Sequence, residues 1–82
     1  MFKNKDVVVI TVKHPAGARS IKTKGRVGIV TAIVELDGIT NYHVVWRYER
    51  RGFLFHENEL RLATPEEITA ELVAMLIKLR QD

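Results

Sequence analysis

The chain contains no cysteine. That excludes disulfides, thiolate metal sites and cysteine nucleophiles together, and it agrees with a reducing, cytoplasmic setting. It also leaves 82 residues without covalent staples. A domain of that size buries only about 60% of its unfolded surface, so it leans on every core residue and on self-association. No apolar run approaches the roughly 18 residues that cross a bilayer. The opening Met1-Phe2-Lys3-Asn4-Lys5-Asp6 has no apolar stretch behind its lysines and no small-residue cleavage site. Neither a signal peptide nor a membrane partner is expected. The most informative lack is of acid: no Asp or Glu occurs from Val7 to Val34.

What is there is uneven in charge. Residues 1–56 hold ten Lys/Arg against four Asp/Glu, and residues 57–82 hold three against six. A basic body with an acidic tail points to an anionic partner for the body. The alternative is a surface kept soluble by its charge.

The patterning reads as β first and α last. Val7 to Lys13 is β-branched and reads as a strand. His14-Pro15-Ala16-Gly17 breaks it and opens a loop of about 12 residues to Gly25, a length often given to function. Arg26 to Leu36 is a second strand, in which Gly28 marks a bulge or a close backbone approach. Asp37-Gly38 is a hairpin turn. Thr40 to Glu49 is a third strand, whose Tyr42, Val44, Trp46 and Tyr48 alternate toward the core. Arg50-Arg51-Gly52 reads as a tight connection to a short strand, Phe53 to His56. A single helical turn at Glu57–Leu60 and a closing strand at Arg61-Leu62 follow. Five short strands with this turn chemistry argue for a small barrel or sandwich over residues 1–63, and a five-stranded SH3-like barrel is favoured because closure removes most exposed edges.

Residues 64–82 predict one C-terminal α-helix, packed on the barrel or on a partner. Thr64 caps it, Pro65 suits its first position and Glu67 completes a capping box. Ile68, Leu72, Met75, Leu76 and Leu79 form one apolar stripe at helical spacing. Val73 and Ile77 fall outside the stripe. They either flank a broad contact with the barrel or form a partner interface, including that of a homodimer.

The stretch from Lys13 to Arg26 carries the strongest functional signal. Lys13, Arg19, Lys22, Lys24 and Arg26 stand in it with His14, Ser20 and Thr23 and no acid. Each cation on a flexible loop can neutralise a phosphate and release counterions, and the hydroxyls add hydrogen bonds. Arg47, Arg50 and Arg51 extend the patch if the tip of the third strand lies beside the loop. A solvated loop, or one that docks an acidic protein, is the competing reading.

Lys24-Gly25-Arg26-Val27-Gly28-Ile29-Val30-Thr31-Ala32-Ile33 resembles the core of the KOW motif, which is found in SH3-like barrels of ribosomal and transcription-elongation proteins. Val8 to Val12 stands as the leading strand and Gly28 as the motif's glycine. The resemblance covers about 25 residues, and here the loop from His14 to Lys24 is longer than the motif's. It implies contact with RNA, DNA or a ribonucleoprotein through the loop. The same fold also serves protein-docking subunits, so fold alone leaves the ligand open.

Other chemistry is poorly supplied. Tyr42, Trp46 and Tyr48 offer a base-stacking platform or an aromatic cage only if they face outward, and their alternation favours the core. His14, His43 and His56 sit in different elements with no metal-ligand spacing. Ser20 lacks a nucleophile elbow, and the glycines match no phosphate-cradling fingerprint. The sequence therefore predicts a non-catalytic binding protein with no cofactor and no metal. Nucleic acid through the 13–26 loop is the favoured partner. A protein partner or a second copy through the C-terminal helix is the alternative.

Overall fold

The computed structural model describes residues 1–47 and 49–81, the last without its side chain. The protein is mainly β. Strands β1 (Val7–Ile10), β2 (Val27–Leu36), β3 (Ile39–Trp46), β4 (Glu49–Phe55) and β5 (Leu60–Leu62) precede a single helix, α1 (Pro65–Gln81). All five strands lie in one antiparallel sheet in the order β4-β3-β2-β1-β5. Among the described residues no ladder joins β4 to β5, so the expected barrel is an open, curled sheet. Among the described residues no helix is long and apolar enough to cross a membrane.

The alternation along the strands builds the core. Val8, Ile10, Val30, Tyr42, Val44 and Phe55 are buried with Trp46 and Leu60. Tyr42, Val44 and Trp46 thus face inward as their spacing requires; Tyr48 lies outside the described residues. Phe2, which sequence patterning did not place, also joins the core, its ring edge-on to Tyr42 at 5.2 Å. Asp37 and Gly38 both have positive φ (52° and 77°), the geometry of a tight hairpin turn.

One local expectation is narrowed to one of its alternatives and another is corrected. Gly28 marks a close approach and not a bulge: a Cβ there would lie 2.6 Å from the Val45 carbonyl oxygen. The bulge falls between Val30 and Ala32 instead. Arg50-Arg51-Gly52 is not a connection but part of β4, which begins at Glu49. Its Gly52, at φ 69°, leaves room for the His43 ring on the neighbouring strand. A side chain at position 52 would collide with that ring, so strand pairing here depends on the missing Cβ.

Helix α1 starts as its sequence dictates. Glu67 N–H donates to Thr64 Oγ1 (3.2 Å), and Thr64 N–H donates to Glu67 Oε1 (2.9 Å), a reciprocal capping box. Its apolar stripe, expected to pack on the barrel or on a partner, is left largely uncovered by the sheet. Leu72, Met75, Leu76 and Leu79 are exposed, as are Val73 and Ile77, and no described helix residue is fully buried. Only Ala63 and Thr64 separate β5 from the helix, and Arg61 grips Glu67 with two hydrogen bonds of 2.8 and 2.7 Å. Ile68, Leu72 and Met75 face the sheet across an open groove, and the overall dimensions are 44 × 27 × 18 Å.

Candidate functional site

The basic segment between β1 and β2 is an ordered arm and not the flexible loop its composition suggests. Its two limbs continue the β1–β2 pairing. Gly25 N–H donates to the Ile10 carbonyl (2.8 Å), and Thr23 N–H donates to the Lys13 carbonyl (2.8 Å). Thr23 is completely buried, and its hydroxyl donates to the Val12 carbonyl at 2.8 Å. Two successive turns follow, Ala18 N–H to the Pro15 carbonyl and Ile21 N–H to the Ala18 carbonyl, each 3.1 Å. The His14 ring closes the arm. Its Nδ1 lies 2.7 Å from the Ile21 carbonyl oxygen, which can only accept, so Nδ1 carries the proton. Ile21 and Val12 pack on the core beneath. Apolar residues pin the arm to the sheet while its cations face outward.

Lys13, Lys22 and Lys24 are exposed and, with His14, line one shallow depression of about 240 Å³. Arg19 is exposed on the turn between Ala18 and Ile21 and is not part of that lining. Arg26 is exposed on the other side of the arm. It lines a separate depression of about 100 Å³ with Arg47 and Glu71. Among the described residues, none of Lys13, Arg19, Lys22, Lys24 and Arg26 has a carboxylate within ion-pair distance.

The arginines on β3 and β4 are differently employed. Arg47 lies beside Arg26, as a continuous patch requires, but its Nε is 2.9 Å from Glu71 Oε2 on the helix. Arg51 holds Glu49 through Nε at 3.1 Å and lies 5.3 Å over the Phe53 ring. The Arg51 hydrogen bond keeps the Glu49 carboxyl below its usual range, and Glu49 raises the Arg51 guanidinium in return. Arg50 is exposed on β4, and no contact places it against the arm. The structure therefore brings Lys13, Lys22 and Lys24 together, places Arg26 and Arg47 in a separate depression, and commits Arg47 and Arg51 to internal carboxylates. Neither Glu71 nor Glu49 was foreseen as a partner. Glu71 is distant from Arg47 in sequence and meets it only in the fold.

The aromatic alternatives close for Tyr42 and Trp46. Trp46 stacks on Phe53 at 5.8 Å and is buried with Phe55, so it offers no platform to a base. His43 is engaged on both ring nitrogens, with Thr31 Oγ1 at 2.6 Å and the Arg51 carbonyl at 3.0 Å. Among the described residues no cluster of three or more His, Asp or Glu is placed to hold a metal ion. No family model matches the chain, and no curated protein or solved structure matches it.

Proposed function

We propose that the protein binds nucleic acid through its phosphates, using the arm between β1 and β2. The observation that carries this reading is the convergence of Lys13, Lys22 and Lys24 on one depression with no carboxylate among them. An internal ion pair leaves little charge for a ligand. Unpaired lysines on an ordered arm offer theirs at little further entropic cost. The KOW-like pattern from Lys24 to Ile33 supports the same reading, since it assigns nucleic-acid contact to this arm. Binding of this kind is sequence-tolerant, because phosphate contacts position a ligand without reading bases.

The test is fluorescence anisotropy with random-sequence RNA and DNA across a salt series. Three phosphate contacts give a log–log slope of about −2.7 on duplex DNA and about −2 on single strands. The triple substitution Lys13→Ala, Lys22→Ala, Lys24→Ala flattens that slope by most of its value. Arg51→Ala, which breaks only the internal pair with Glu49, leaves it unchanged. No complex at low salt, or a slope indifferent to the triple substitution, removes the proposal.

A further inference from the structure

Helix α1 is the least covered element of the molecule. Leu72, Val73, Met75, Leu76, Ile77 and Leu79 keep between 44% and 70% of their surface in solvent. Isolated helices of this length are marginal in water and normally owe their stability to a packed apolar face. A monomer this small rarely leaves so many adjacent aliphatic side chains bare.

The exposed face has an order to it. Ile68, Leu72, Met75 and Leu79 recur at spacings of four, three and four, the a/d alternation of a two-helix seam. Ile68, Leu72 and Met75 also line a groove of about 350 Å³ whose other wall is the outer sheet face, including Ile29 and Val45. The groove has room for a few aliphatic side chains but not for a helix. An occupant lies along its mouth and inserts side chains.

We infer that this occupant is α1 of a second copy, packed antiparallel about a two-fold axis. Charge decides it. The first half of the helix carries Glu66, Glu67 and Glu71 with no base of its own, Glu67 and Glu71 also holding Arg61 and Arg47, and the second half carries Lys78 and Arg80 with no acid up to Gln81. Antiparallel pairing lays each acidic half on a basic half, whereas parallel pairing sets like on like. The seam agrees residue by residue. Ile68 of each copy meets Leu79 of the other, and Leu72 meets Met75. Glu71 and Lys78 occupy the same flank of the seam one heptad apart, so Lys78 of each copy approaches the Glu71 carboxylate of the other and would share it with Arg47. The surface is self-complementary, as a two-fold interface must be. It is separate from the lysine arm, so it stands or falls independently of nucleic-acid binding.

Sedimentation of the full chain from micromolar to near-millimolar concentration reads the equilibrium, and a dimer is expected. Leu79→Glu, solvent-exposed in the single copy and so harmless to its fold, lowers association about a hundredfold because each dimer loses two apolar contacts. Lys78→Glu lowers it about fivefold, and less in high salt. Orientation is read by oxidation, since the chain has no cysteine of its own. Ile68→Cys and Leu79→Cys proteins cross-link with each other and neither cross-links with itself. A monomer at every concentration, including one that gains mass only with a different protein, overturns the inference, as does self-cross-linking of either cysteine variant.

Discussion

Replacing Gly28 with alanine tests how tightly β2 is held against β3. The added Cβ would stand 2.6 Å from the Val45 carbonyl oxygen and 2.7 Å from Val44 Cγ1. Neither neighbour can swing away. One is main chain in the β2–β3 ladder, and the other belongs to a fully buried core valine. Overpacking of this kind costs about 1–3 kcal/mol where side chains can adjust. With main chain in the way, the upper end applies, about 3 kcal/mol. A chain of this length has about 4–12 kcal/mol of total stability. The substitution therefore removes a large share of it and lowers the melting temperature by roughly 12–24 °C. The control is Gly38→Ala, at φ 77° but with open space around the Cβ position, where only backbone strain of about 1 kcal/mol arises. Thermal and urea denaturation followed by circular dichroism compare the two. A Gly28→Ala protein as stable as Gly38→Ala would refute the close approach.

Two further outcomes follow from single contacts. Thr23→Val keeps the shape of a fully buried residue but leaves the Val12 carbonyl without its hydroxyl donor, costing about 1–2 kcal/mol in urea denaturation. Acid acts through Glu67, whose carboxyl is lowered from 4.5 to about 2, first by the Arg61 hydrogen bond and then by the Thr64 N–H. A carboxyl held down in the folded state contributes fully above about pH 4.5, and its contribution is lost as pH falls toward 2. Stability measured against pH should decline across that window, and Glu67→Gln should make the decline shallower while leaving that due to Glu49 in place.

The fold was legible where one residue's chemistry forces one geometry. Asp37-Gly38 announced its turn because few pairs accept two positive φ values. Thr64, Pro65 and Glu67 announced the helix start because each suits a different position at a helix N-terminus. The alternation from Tyr42 to Trp46 announced the core face. Contacts between distant elements were not legible. Nothing in the spacing of Arg47 and Glu71 ties them together, and Phe2 gives no sign that it reaches Tyr42. The connection expected at Arg50-Arg51-Gly52 failed for an instructive reason. Gly52 is needed for clearance against His43, and glycine in a strand looks the same in sequence as glycine in a turn. The lysine arm was half legible. Its charge was plain, but the buried Thr23 and the His14–Ile21 bond that order it depend on how its two limbs return to the sheet.

The pairing of β1 with β5 brings the first and last strands of the chain together in space, with Val9 opposite Arg61. Contacts so distant in sequence close late and slow a chain's search for its native state. A nascent chain can zip β2, β3 and β4 through successive hairpins while β1 still lacks its second neighbour. It completes its hydrogen bonds only when residues 60–62 are free to move. Until then the bare edge of β1, rich in valine, is open to pairing with another chain. The rate of refolding, and losses to aggregation during it, should therefore respond more to changes at Leu60 and Leu62 than to changes at the β2–β3 hairpin.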